Sequence, residues 1–207
     1  MSDNQEIERW NARYASEDYV FGTAPNAFLV SQRDLLKPGQ RALAVADGEG
    51  RNGVWLARQG LDVLSIDFSE AALAKARKLA AEAGVTLQTE CCDLAAWNWG
   101  APRFDLVAAI FIQFAAPPFR EIIFHRINDV LKPGGLLLLQ GYRPEQLGYK
   151  TGGPPQRENL YTAAMLREAF GDMTILKIAE YDAERAGSGC LNSFPRKISG
   201  VPPGCFR

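Results

Sequence analysis

From residue 41 onward, short apolar runs alternate with longer stretches in which apolar residues recur every three or four positions. The runs "RALAVA" (41–46), "LDVLSID" (61–67), "VTLQTE" (85–90), "FDLVAAIF" (104–111), "LLLLQGY" (136–142) and "MTILKIAEYD" (173–182) predict six strands. Between them, "RNGVWLARQG" predicts a helix stopped at Gly60. "EAALAKARKLAAEAG" predicts one capped by Ser69 and ended by Gly84, with Leu73, Ala76, Ala80 and Ala83 on a single face. Pro117 and Pro118 open a helix to Leu131 that turns Phe119, Ile122, Ile123, Ile127 and Val130 inward, and "LKPGG" then makes a turn. "ENLYTAAMLREAF" reads as a further helix. Ahead of the regular region, Ile7, Trp10 and Tyr14 are spaced for a helix over residues 4–15.

Strand–helix alternation with continuous apolar strands implies an α/β fold: a single doubly wound, Rossmann-like, mostly parallel sheet of six or seven strands with helices on both faces. Such a sheet binds ligands beyond the carboxyl ends of its strands, beside the first strand. The expected organisation is one domain over 1–207, with an N-terminal helix and lid (1–38), a cofactor-binding core (39–181) and an irregular tail (182–207). The tail contains Pro195, Pro202 and Pro203 and almost no alternation, so it predicts a poor strand and a sheet that lacks its last member. A tail docked on a neighbouring subunit, in a homodimer, is one way to accommodate it.

Composition narrows the picture by exclusion. Lys plus Arg (23) nearly balances Asp plus Glu (24), which gives no electrostatic footprint for nucleic acid or an anionic membrane. No apolar run approaches the roughly 20 residues of a membrane span, and the polar N-terminus has no signal core, so a cytoplasmic protein is expected. The four cysteines, Cys91, Cys92, Cys190 and Cys205, form no C-x-x-C pair, and no metal site is expected.

The chemistry concentrates in "VADGEGRNG" (45–53), where Gly48, Gly50 and Gly53 have the G-x-G-x-x-G spacing of a dinucleotide turn. Asp47 and Glu49 sit inside that turn. Beside a pyrophosphate, one like-charge pair at ~4 Å costs about 4 kcal/mol at an effective dielectric near 20. A sulfonium guest such as S-adenosylmethionine removes that conflict. Asp67, ending the second strand, is placed to accept from ribose hydroxyls. Asp93 in "ECCDL" is placed to read an adenine amino group, with Cys92 and Leu94 giving backbone contacts, and Phe111 through Phe114 form an aromatic edge.

On these residues the chain resembles class I S-adenosylmethionine-dependent methyltransferases, and more narrowly the tellurite-resistance-type and thiol-methyltransferase-like group. The matching text includes "WNARYASEDYVFGTAPNAFL", "ADGEGRNGVWLARQG", "VLSIDFSEAALAKARKLA", "LKPGGLLLLQGY" and "PEQLGYKTGGP". The resemblance implies that Asp47, Gly48, Gly50 and Asn52 cradle the methionine and sulfonium, that Asp67 holds the ribose with Phe68 beside the adenine, and that Asp93 and Leu94 form the adenine edge. It makes the N-terminal block a lid that brings Trp10, Tyr14 and Tyr19 near the reacting centre, and it makes Tyr142, Arg143, Gln146, Tyr149 and Lys150 to Gly153 the acceptor wall. The sequence departs from the family pattern at Ala44, where an acid is usual, at Ala46, where the first glycine falls, and at Asp47, where a cysteine is common.

Methyl transfer needs mainly alignment and exclusion of water. The sole histidine, His125, falls on the solvated side of the helix before "LKPGG". The expected acceptor is therefore one that ionises unaided, a thiol or a chalcogen oxyanion, oriented by Tyr19, Gln113, Tyr142 and Arg143. Two alternatives stay open: an NAD(P)-dependent oxidoreductase using the same glycines, and a non-catalytic protein that binds S-adenosylmethionine.

Overall fold

The computed structural model describes residues 4–149, 152–185 and 196–206. Lys150 and Thr151 of the expected acceptor wall, and residues 186–195 of the expected tail, lie outside the described residues. Helix α1 (Asn4–Tyr14) and a short α2 (Ala27–Ser31) precede strand β1 (Arg41–Val45). There follow α3 (Arg51–Arg58), β2 (Asp62–Asp67), α4 (Glu70–Glu82), β3 (Gln88–Cys91), β4 (Phe104–Ile110), α5 (Pro117–Val130) and β5 (Leu131–Tyr142). The chain then forms α6 (Gln146–Tyr149), α7 (Ala163–Ala169), β6 (Ile175–Lys177), β7 (Tyr181–Arg185) and β8 (Arg196–Phe206).

The sheet runs β3-β2-β1-β4-β5-β8-β6, and β7 also pairs with β8. Strands β1 to β5 are mutually parallel, as their apolar runs predict, while β8 is antiparallel to β5, β6 and β7. Both faces are covered. In β1, Ala42 and Ala44 join one core cluster and Leu43 and Val45 the other, and β5 divides its leucines in the same way. That division explains why these strands read as unbroken apolar runs.

Three expectations need correction. Among the described residues the sheet has eight strands rather than six or seven, because "MTILKIAEYD" breaks into β6 and β7 and the tail adds β8. The tail is a strand despite its prolines. Leu139 pairs with Gly204 and Gly141 with Val201, so Pro202 and Pro203 fall within a register shift, where a missing N–H costs no ladder bond. On α5, Ile122 is 53% exposed while Arg120 is buried, donating from Nη1 to the Glu158 carbonyl at 2.6 Å. Helix α7 also starts later than expected, at Ala163, capped by Thr162 Oγ1, which accepts from Met165 N at 3.2 Å. Among the described residues no helix is long and apolar enough to cross a membrane.

Candidate functional site

The carboxyl ends of β1 and β2 converge on Asp67. Its side chain is buried at 3% exposure. Oδ2 accepts from Gly48 N at 2.8 Å and Oδ1 from Ser69 N at 3.0 Å. Burial pushes its pKa upward, while the backbone donors pull it down. Asp67 thus ties the glycine turn to the end of the second strand, and the remaining lone pairs of a carboxylate can take further donors.

Asp67 lines a narrow, mainly apolar cleft with Phe68, Asp93, Leu94 and Trp10, all expected there, and with Ala46 and Phe114. Ile7 from α1 and Phe119 from α5 complete the lining. The periodicity turns Phe119 inward and gives Ile7 only a place on the first helix, so no local signal marks either as a site residue. Cys92 stands just behind, its N–H donating to the Asp67 carbonyl at 2.9 Å. Burial and then Glu90 push its thiol up to about 12, which disfavours the thiolate.

The other expected cofactor residues point elsewhere. Asp47 Oδ2 accepts from Gly53 N at 3.0 Å and Ser65 Oγ at 3.1 Å, beneath the start of α3. Burial pushes its pKa up to about 7 against those two hydrogen bonds. Glu49 is also buried and pairs with Lys75 at 2.8 Å. The two acids of the turn are therefore held by protein partners and do not line the cleft. Gly50, at φ 82°, packs against α4, where an added Cβ would lie 2.5 Å from Ala76 Cβ. Asn52 Oδ1 accepts from Asn26 N at 3.0 Å and anchors the segment before α2. Gly48 lies under the hydroxyl of Tyr14, a side chain only 7% exposed. Burial and then Asp67 hold that phenol far above its ordinary range.

The acceptor-side residues form a second group at the ends of β4 and β5. Phe111, in the left-handed region at φ 60°, packs its ring on Tyr142 with centroids 4.5 Å apart. Gln113 is 2% exposed. It donates to the carbonyls of Tyr142 at 2.7 Å and Asn159 at 3.0 Å and accepts from Tyr142 N. Its amide is committed to the backbone rather than free to orient a substrate. Arg143 pairs with Asp182 at 2.7 Å, and Asp182 also accepts from the Tyr149 hydroxyl at 2.8 Å. Tyr19 donates its hydroxyl to the Lys75 carbonyl at 3.2 Å, on α4. His125 is exposed on α5, 3.6 Å from Asp129.

Residues 42–135 match the family model of the methyltransferase domain. The match falls on the centre of the chain, from β1 into the start of β5. An uncharacterized methyltransferase of Synechocystis is 32% identical over 105 residues, covering 50% of this chain and 48% of that protein. The chain thus spans about half the length of that curated relative, and only 36% of the mycobacterial relatives it also matches. Among solved structures, the protein studied for conversion of a disulfide bond into a thioacetal group during echinomycin biosynthesis has a TM-score of 0.75 at 20% identity, covering 97% of this chain and 90% of that one. TehB from Haemophilus influenzae has a TM-score of 0.69 at 18% identity, covering 97% and 66%. An S-adenosylmethionine-dependent methyltransferase of Geobacter sulfurreducens, in complex with S-adenosylhomocysteine, has a TM-score of 0.62 at 19% identity, covering 88% and 76%. The fold is shared with all three.

Proposed function

We propose that the protein transfers the methyl group of S-adenosylmethionine to a small nucleophile, a thiol or a chalcogen oxyanion. The observation that carries this reading is the cleft around Asp67: a buried carboxyl at a strand end, flanked by Phe68 and Leu94, with Asp93 at the rim. That donor set suits an adenosine, with a carboxylate for the ribose hydroxyls, apolar faces for the base and a second acid for its amino edge. The backbone of Ala46 and Gly48 lies beside it for the amino-acid end. The methyltransferase domain match over residues 42–135 supports the same reading.

The cofactor supplies an electrophilic methyl group on a positive sulfur. The chain has to align the nucleophile and exclude water. Phe111 and Tyr142 wall the ends of β4 and β5 with aromatic surface, and Tyr14 and Trp10 close the N-terminal side. The only histidine stands on α5 in solvent, so an acceptor that is already anionic fits better than one needing a base. The structural likeness to the echinomycin protein, whose chemistry is at sulfur, favours a thiol.

The test is calorimetric titration with S-adenosylmethionine, S-adenosylhomocysteine and NAD, followed by transfer of labelled methyl to thiols, selenite, tellurite and a catechol control. Binding of the two sulfur nucleosides and labelled product with a thiol or chalcogen are expected. Tight NAD binding without either nucleoside would overturn the reading.

A further inference from the structure

One buried ion pair organises the contact between the glycine turn and the N-terminal segment. Lys75 Nζ lies 2.8 Å from Glu49 Oε1, with side chains 15% and 3% exposed. The second carboxylate oxygen of Glu49 accepts from Val20 N at 2.8 Å. The same ammonium donates to the Asp18 carbonyl at 2.8 Å, and Tyr19 donates back to the Lys75 carbonyl at 3.2 Å. Three separate pieces of chain meet here: the turn after β1, helix α4 and residues 18–20. Glu49 stands between Gly48 and Gly50, so its side chain controls the turn that Asp67 holds from the other end.

Residues 18–20 follow α1, which lays Ile7 and Trp10 across the cleft. The cleft so covered has a volume of about 30 Å³. That is far below the roughly 300 Å³ or more of small-molecule sites. A nucleoside can enter or leave only when the cover lifts, and the Glu49–Lys75 pair resists lifting. A buried pair of this kind adds little net stability over apolar residues, whereas removing one partner strands a buried charge.

We propose that Lys75 is a positioning residue: through Glu49 it locks the N-terminal cover to the glycine turn and so sets how long the bound nucleoside is retained. This rests on the functional reading above. The same pair explains why Tyr19 is turned to α4, since its hydroxyl closes the network rather than reaching the acceptor.

The test compares full-length wild type with Lys75→Met, Lys75→Arg and the double variant Lys75→Met/Glu49→Gln. Amide exchange over residues 9–22, measured without ligand, is expected to accelerate about tenfold in Lys75→Met. Stopped-flow dissociation of S-adenosylhomocysteine is expected to accelerate about tenfold as well, with acceptor KM moving less than about threefold. Lys75→Arg restores most of both. The double variant regains thermal stability, because no charge is left stranded, yet keeps the fast dissociation. Exchange and dissociation within about twofold of wild type in Lys75→Met, or a double variant that regains slow dissociation with its stability, would reduce Lys75 to a structural role and overturn the proposal. A wild type that binds no S-adenosylhomocysteine would sink the functional reading and the retention role together, and the exchange data would still decide whether the pair holds the cover.

Discussion

The two edges of the site are held by contacts of different range. At the cofactor edge, Asp67 takes its donors from Gly48 and Ser69, separated by 19 and 2 residues. At the acceptor edge, Gln113 bonds across 29 residues to Tyr142 and 46 to Asn159, and Arg143 crosses 39 to reach Asp182. The contacts of Asp67 are thus set by neighbouring strand ends and form with the β1–β2 pair. The second edge exists only when β4, β5 and the later chain are all in place. Damage at the first edge should therefore weaken nucleoside binding directly. Damage at the second should loosen the acceptor wall and leave the nucleoside slot intact.

The largest effect is expected from Asp67→Ala. It removes the carboxyl proposed for the ribose and leaves Gly48 N and Ser69 N without their acceptor. The affinity for S-adenosylhomocysteine should fall at least ~100-fold, or about 3 kcal/mol, by calorimetry. The counterpart is Gln113→Leu, which strips hydrogen bonds from the Tyr142 N–H and carbonyl at the end of β5 and from the Asn159 carbonyl. Urea unfolding should show a loss of about 2 kcal/mol, and acceptor KM should rise while S-adenosylhomocysteine affinity stays within about twofold. An equal loss of nucleoside affinity in both variants would erase the distinction between the edges.

The same division governs what was legible in the sequence. Strands β1, β2 and β4 and helix α4 follow from local periodicity and capping. Asp67, Asp93 and Leu94 follow from their places after strands and Phe68 from the family resemblance, and the structure gathers them into one cleft. The direction in which a turn side chain points was not legible. Asp47 and Glu49 occupy the turn as read, but one curls under α3 and the other reaches Lys75. The case for a sulfonium cofactor therefore rests on the strand-end residues and the methyltransferase domain match rather than on the turn acids. Contacts across long separations were also hidden. Arg120 occupies an inward position on α5 because the Glu158 carbonyl is there to receive it, and Pro202 and Pro203 are tolerated in β8 because a bulge absorbs them.

Asp47 gives a pH test of the cofactor edge. Its pKa is about 7 in the folded protein against an ordinary value of 3.8. A raised carboxyl pKa means that the folded state binds more protons than the unfolded chain between those values. Stability therefore falls as pH rises from about 4 through 7, and the loss is complete above the folded pKa. At a half-buried residue the loss is on the order of 2 kcal/mol. Asp47→Asn should flatten this slope in urea unfolding across the window and leave S-adenosylhomocysteine affinity within about twofold, since the carboxyl faces Gly53 and Ser65. An unchanged slope would place the titrating group elsewhere, and a large loss of affinity would return Asp47 to the cofactor.

The smallest effects come from the two non-glycine residues that, among the described residues, are held in left-handed backbone, one at each edge: Ala46 at φ 49° and Phe111 at φ 60°. That conformation costs an L-residue roughly 1–2 kcal/mol. Ala46 packs only a single methyl group against the core. Ala46→Gly removes the strain but frees the unfolded chain by about 0.5–1 kcal/mol, so the net gain should be under about 1 kcal/mol, or up to ~3 °C in Tm for a chain of this length. Phe111→Gly relieves the same strain but gives up the ring stacked on Tyr142 at 4.5 Å, and it should destabilise by about 1 kcal/mol or more. Opposite signs are expected because the cofactor edge carries its strain without compensation, whereas the acceptor edge offsets it by aromatic packing. Two shifts of the same sign in differential scanning calorimetry would mean that φ alone governs both positions and that the aromatic pair contributes nothing to the fold.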